Sequence, residues 1–309
     1  MMPMKKFSLL FAAVVILSVA CDVADNKEHP INGTKNRIAA TTEISTSPRT
    51  TMGEGYSVVW SQDDQLILLG EMNDASDDYD INLYTLVEGA GTTNGLFEGT
   101  LSSSFDTYYA LYPSSTLQGY APGGVFLLSL PVENAIYTER NFVDGANPMY
   151  GVGTMENGIK FKNLCGILEL QVKGTGTIAE MHIEADQALS GHFLVTNGET
   201  TLLSMEGYDQ YATIIATISP AITLSESTPR SIYAILPPAT YTNLSITTTD
   251  TAGNSTTLTA SNPVTITRSV ITPVSEFTHS SSGGGGGGGG SDSDDSQLED
   301  PNEKPEIDW

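Results

Sequence analysis

Residues 148–173 read PMYGVGTMENGIKFKNLCGILELQVK. Within them Ile159 and Phe161 alternate with Lys160 and Lys162, while Leu164, Leu168, Leu170 and Val172 alternate with Asn163, Glu169, Gln171 and Lys173. A period of two belongs to a half-buried β-strand, whose successive side chains point to opposite faces. The inward parity changes between Phe161 and Leu164. A one-residue slip turns every later side chain to the other face, so the strand must bend, bulge or cross from one sheet to another near Asn163, with Gly166 just beyond. The stretch is therefore expected to be the junction of two β-domains.

Working outward, the same short alternating runs recur on both sides. Strands are expected over 38–44, 81–87, 96–101, 107–112 and 125–130 before the junction, and over 178–184, 192–196, 200–205, 212–218 and 232–236 after it. Pro237 and Pro238 end the last of these, because proline cannot donate to a central ladder. The runs 244–249 and 256–260 read as a hairpin around 250–255. Val264, Ile266, Val270 and Val274 then share one face of an expected last strand, with Arg268 as its odd member. Thr and Ser are abundant and helical stripes are absent, which points to an all-β chain of sandwich type. At 309 residues the chain is long enough for two separate cores, placed at 38–158 and 159–278.

The ends differ from this middle. Lys5 and Lys6 precede the apolar residues 7–17, and Ser18, Val19, Ala20 and Cys21 follow, the layout of a secretory signal over 1–20. Cys21 behind a small residue is similar to a bacterial lipobox, whose thiol is acylated, although Ser18 stands where Leu is usual and Ser18 with Ala20 also suits ordinary cleavage. Residues 21–37 are expected to be a tether between lipid and fold. At the other end, 283–290 is an uninterrupted glycine run, and 292–309 holds eight acidic residues against one Lys. Residues 279–309 are expected to be a disordered Gly-rich linker and acidic tail. The formal net charge of -24 argues against nucleic acid or an anionic membrane surface as partner.

Chemistry-bearing patterns are few. His29, His182, His192 and His279 stand in no metal spacing, and no G-x-S-x-G elbow occurs. His182 and His192, near one expected turn, read as ordinary cross-strand histidines. Four Asp residues lie in 73–80, but Leu83 stands where an EF-hand begun at Asp78 needs Gly, so a solvated turn is expected. Cys165 reads as a small buried hydrophobe with no disulfide partner if Cys21 is acylated. Trp60 reads as a buried aromatic at a sandwich edge. On 108–112, Tyr109 and Leu111 share one face and Tyr108 and Tyr112 the other, so half of these aromatics are expected in a core and half exposed, which leaves open a sugar-stacking surface. No enzyme, metal or cofactor signature emerges.

The order of motifs carries a resemblance. Met149-Tyr150-Gly151, then Phe161-Lys162-Asn163-Leu164 and Gly166-Ile167-Leu168-Glu169-Leu170, resembles the central motif of the fimbrillins, the lipoprotein pilins of type V pili. Trp60 followed by Asp63-Asp64, the aromatic run 108–112 ending at Pro113, and the tight Ser190-Gly191 are similar to further family features. The resemblance implies two tandem transthyretin-like sandwiches of about seven strands each. It also implies a non-enzymatic structural, accessory or tip subunit in an outer-membrane-anchored, lipidated (palmitate-bearing) surface fimbrium. Partners would be other fimbrial subunits and a glycan or protein receptor. Maturation would follow cleavage after an N-terminal Arg, here Arg49 or Arg37: a cut after Arg49 would remove the first strand, 38–44, and let a neighbour's strand enter the groove, whereas a cut after Arg37 would leave that strand in place. Val264, Ile266, Val270 and Val274 have the alternation of such a donor strand, and equally that of the last strand of their own domain. The alternative reading is a monomeric carbohydrate-binding surface lipoprotein.

Overall fold

Leu164 and Cys165 are where the chain leaves one sheet for another. In a computed structural model that describes residues 34–43, 58–72, 79–101, 104–133, 135–137, 139, 146–196, 203–204 and 208–281, the junction is two strands, Gly158–Asn163 and Gly166–Gly174, in different sheets. The parity change is thus a crossing. Ile159 and Phe161 enter one core, Leu164 and Cys165 a second, and Leu168, Leu170 and Val172 a third. Gly166 is required at the restart: a Cβ there would lie 2.4 Å from the carbonyl oxygen of Thr267.

The first unit is a seven-stranded sheet closed on itself. Its order is Thr34–Thr41, Gly158–Asn163, Met149–Thr154, Thr107–Tyr112, Gln65–Glu71, Tyr79–Glu88 and Asn94–Leu101, which pairs back onto Thr34–Thr41. Closure removes the exposed edges that would invite further pairing. Inside it Ile38, Leu66, Leu68, Tyr84, Phe97, Tyr108 and Phe161 pack with Trp60. The Trp60 ring meets Phe97, Tyr112 and Phe161 edge-on at 4.9, 5.3 and 5.5 Å between centroids, an arrangement suited to their quadrupoles.

The outer face of this barrel is covered where Leu69, Tyr109, Leu111 and Tyr150 emerge. A second sheet, Leu203–Ser204, Ser190–Val195, Val125–Leu130 and Leu117–Ala121, lays Phe126, Leu128, Phe193 and Val195 against them. The expectation that half of the 108–112 aromatics are exposed is therefore corrected: Tyr108, Tyr109 and Tyr112 are all buried, because both faces of that strand have a covering layer. Ser190 and Gly191 open a strand rather than forming a turn between two.

The second unit is a sandwich. One sheet holds Arg230–Leu236, Gly166–Gly174 and Ile271–Pro273, with Phe277–His279 beside the far end of Gly166–Gly174; the other runs Ser255–Thr259, Ser245–Asp250, Thr177–Glu184, Thr213–Thr223, Ala135–Tyr137. Leu168, Met181, Ile183, Ile214, Ile232 and Ile246 fill the space between them. The hairpin expected around 250–255 is present, with Ser245 opposite Thr259. The expected last strand is three short ones, Val264–Ile266, Ile271–Pro273 and Phe277–His279, the first pairing with Ala239–Tyr241 and the other two parallel to Gly166–Gly174. Arg268 is no odd member of a strand. It lies in a turn where Val270 N donates to Thr267 O, and Ser269 adopts φ 60°.

The division at 158/159 does not follow the sheets. Gly158–Asn163 belongs to the first barrel, Ala135–Tyr137 pairs parallel to Thr213–Thr223, and Val125–Leu130 pairs with Ser190–Val195. The first strand also begins at Thr34, so 34–37 is part of the barrel and not of a tether. The expected disordered tail of 279–309 starts too early: His279 ends a strand and is fully buried, and Ser281 N donates to Thr175 Oγ1, so 279–281 belong to the fold. Residues 1–33, 73–78 and 282–309, which hold the signal, most of the acidic turn and the rest of the tail, lie outside the described residues.

Candidate functional site

Strand Thr34–Thr41 closes the barrel, and it is held unequally on its two sides. Toward Asn94–Leu101 it is antiparallel along its whole length, from Thr34 opposite Leu101 to Thr41 opposite Asn94. Toward Gly158–Asn163 it is parallel and in register only at Ala40 with Ile159 and Thr41 with Lys160. Its alternation explains its seat: Ile38, Ala40 and Thr42 are buried, while Lys35, Arg37, Ala39 and Thr41 face water. The outward cations meet Glu98, Lys35 Nζ at 2.8 Å and Arg37 Nε at 3.0 Å. Such exposed pairs contribute little, and the buried Ile38 against Phe97 is the stronger hold.

Just past the strand, Glu43 reaches the junction and the second unit together. Its Oε2 accepts from Arg268 Nη1 at 2.5 Å, Ser269 Oγ at 2.9 Å and Asn163 N at 3.1 Å. Arg268 Nη1 also donates to Asn163 O at 3.2 Å, and Asn163 Nδ2 donates to Ser269 Oγ at 3.1 Å. Asn147 Nδ2 completes the group by donating to Asn163 Oδ1 at 2.6 Å. Burial pushes the Glu43 carboxyl pKa up, but hydrogen bonds from Arg268 and Ser269, the Arg268 charge and the Asn163 N–H outweigh it and hold the net value below the ordinary one.

The residues singled out from sequence are placed as follows. Arg37 is in the middle of strand Thr34–Thr41. Cys21 and Arg49 lie outside the described residues. Val264, Ile266 and Val274 are buried in the core of their own unit, and Val270 sits half-buried at the turn. The sequence pattern marks Asn163 only as the place where the strand breaks, and marks neither Glu43 nor Ser269. The available signal was Arg268, a cation on an otherwise apolar run.

Other polar groups have local partners. His182 Nε2 lies 2.6 Å from Thr213 Oγ1, and His192 Nδ1 lies 3.3 Å from Asp209 O. Cys165 is buried and free, and burial pushes its thiol pKa well above the usual range, which suits a packing role. Among the described residues no group of three or more His, Cys, Asp or Glu side chains could hold a metal ion. A cleft of about 350 Å³ opens between the covering sheet and the sandwich, walled by Leu130, Ile136, Tyr137, Leu189, Ile214 and Ile235 with a rim that includes Gln118 and Ser129.

No family model and no curated protein sequence matches the chain. Among solved structures, it is similar to a candidate cell adhesion protein from Bacteroides fragilis, with a TM-score of 0.42 and 15% identity over 79% of this chain and 93% of that one. It is also similar to a candidate cell adhesion protein from Parabacteroides distasonis, with a TM-score of 0.37 and 10% identity over 81% of this chain and 90% of the other. A fimbrial protein from Bacteroides ovatus gives a TM-score of 0.35 and 10% identity over 80% of this chain and 50% of that one.

Proposed function

We propose that the chain is a non-enzymatic subunit of a surface fimbrium, structural or accessory, that assembles by exchange of its first strand. The observation that carries this reading is strand Thr34–Thr41, which completes the barrel from one end of the chain and is bound by a full ladder on one side only. Taking it out would bare the unpaired backbone of Asn94–Leu101 and the pockets of Ile38 and Ala40, a template for an incoming strand. Cleavage after Arg49 would free the strand, whereas Arg37 lies in the ladder with Glu98, where a protease cannot take up the backbone. Because Val264, Ile266 and Val274 are packed in their own unit, the donor is better sought elsewhere. Lipidation at Cys21 would hold the subunit at the outer membrane before assembly. N-terminal sequencing of protein sheared from cells is the test: a start at Thr50 is expected, and fibres containing only the intact N-terminus would refute strand removal.

A second reading, a monomeric carbohydrate-binding surface lipoprotein, is favoured by Tyr79 and Tyr120. These rings are 40% and 42% exposed and meet edge-on at 6.2 Å. Binding of a strict monomer to a glycan array, lost in Tyr79→Ala and Tyr120→Ala, would support it.

A further inference from the structure

If the first strand is replaced during assembly, as the proposed function holds, the place it vacates is more than an apolar groove. Three donors converge there on one oxygen of Glu43: the Arg268 guanidinium, the Ser269 hydroxyl and the backbone N–H of Asn163. None of them moves with the strand. Asn163 ends the barrel strand Gly158–Asn163, while Arg268 and Ser269 belong to the turn of the second unit. The Arg268 and Glu43 side chains are 29% and 24% exposed, so the pair is largely withdrawn from water. Without Glu43 the Asn163 N–H loses this acceptor, and the largely buried Arg268 cation loses its counter-charge and keeps only the neutral Asn163 O and Ser269 Oγ, which is more unfavourable than the loss of an exposed pair.

We propose that Arg268, Ser269 and Asn163 form a carboxylate receptor that selects the strand entering the barrel, so that the incoming segment must carry an acidic residue in the register of Glu43. The full pattern that fits is an extended segment with apolar or small residues at the positions of Ile38 and Ala40 and a hydroxyl at that of Thr42. The acid follows immediately. Thr42 is part of the fit because its Oγ1 donates to Val58 O at 2.6 Å and its N donates to Thr93 O at 2.9 Å, fixing the backbone that aims the next side chain. The partner is thus a strand from another subunit with this acidic end, and a strand of equal apolar pattern with a neutral residue there is rejected.

The full-length chain, with a site-specific protease sequence placed within 44–57 and cut there, is incubated with labelled peptides covering residues 34–45. The wild-type peptide is expected to exchange into the barrel. The Glu43→Gln peptide should bind about 10-fold or more weakly, in keeping with loss of an acceptor from a largely buried charged site. A peptide carrying Thr41→Glu with Glu43→Gln, of unchanged net charge, should bind as weakly as the Gln peptide, because position 41 faces water. In an Arg268→Met chain, or in Ser269→Ala if that one is insoluble, the gap between wild-type and Gln peptides should narrow. Equal binding of all peptides to the unaltered chain would overturn the receptor while leaving strand replacement standing. Failure of every peptide to enter would overturn the strand-replacement reading, and the receptor with it.

Discussion

Tyr112 donates its hydroxyl to Oδ1 of Asp64 at 2.8 Å inside the first barrel, and both residues are buried. Asp64 Oδ2 accepts the Ser61 N–H at 2.7 Å, so one carboxylate ties the turn after Trp60 to a strand far along the chain. Trp60 lies against Tyr112, and the hydrogen bond therefore holds the tryptophan's turn in place as well.

Tyr112→Phe should cost about 1 to 2 kcal/mol, the loss of one donor from a buried acceptor. Asp64→Ala should cost more, about 2 to 4 kcal/mol, since it removes the carboxylate that accepts from both the Ser61 N–H and the Tyr112 hydroxyl. Urea titrations followed by Trp fluorescence would rank the two, and a larger loss for the Phe variant would contradict the argument.

Gly166→Ala tests the crossing point. The added methyl would face the Thr267 carbonyl oxygen at 2.4 Å and Ile266 Cγ2 at 2.7 Å, and backbone cannot swing aside as a flexible side chain does. Overpacking of this kind costs about 1 to 3 kcal/mol, and calorimetry should show the loss. An unchanged melting temperature would mean that the turn at 267–270 yields freely.

His279 gives stability a pH dependence. It is fully buried, with Nδ1 3.0 Å from Thr248 Oγ1 and Nε2 3.7 Å from Asp250 Oδ2. Burial lowers its pKa, and the Asp250 carboxylate, which opposes this, does not cancel it. In the unfolded chain the imidazole takes up its proton first as pH falls below about 6.5, so stability from this group declines from there down to the folded pKa. The carboxylates act lower. Asp250, held down by hydrogen bonds from Ser281 and Asn254, stabilises above its ordinary pKa and loses that contribution as pH falls through the depressed value. Urea midpoints between pH 7.5 and 5.5 should fall for the native chain and fall less for His279→Gln; parallel slopes would remove His279 from the account.

Cys21→Ser should release the protein from the membrane to the soluble fraction on cell fractionation, because a lipid chain is what the proposed anchor rests on. Unchanged membrane partitioning of that variant would remove the anchor.

The β class, the break in alternation near Asn163 and the hairpin around 250–255 follow from the local sequence of 148–173 and of 244–260, because side-chain alternation is a local property that a strand imposes wherever it lies. Which layer covers which face is not local. Tyr108 and Tyr109 point in opposite directions on one strand, and only the sheet through Val125–Leu130 and Ser190–Val195 decides that both are buried. The same holds for strand order: the sheets take Ala135–Tyr137 into the second unit and Gly158–Asn163 into the first, against their order along the chain. Arg268 kept to the sequence pattern as an exception on an apolar run, but its partner Glu43 is 225 residues away, and no spacing rule links residues so distant. The residues by themselves determined the β class and where the alternation breaks; folding alone determined that the break is a crossing between sheets, that 264–279 is three short strands, which strand closes the barrel and which carboxylate fastens it, since all of these depend on contacts between segments that only the assembled sheets bring together.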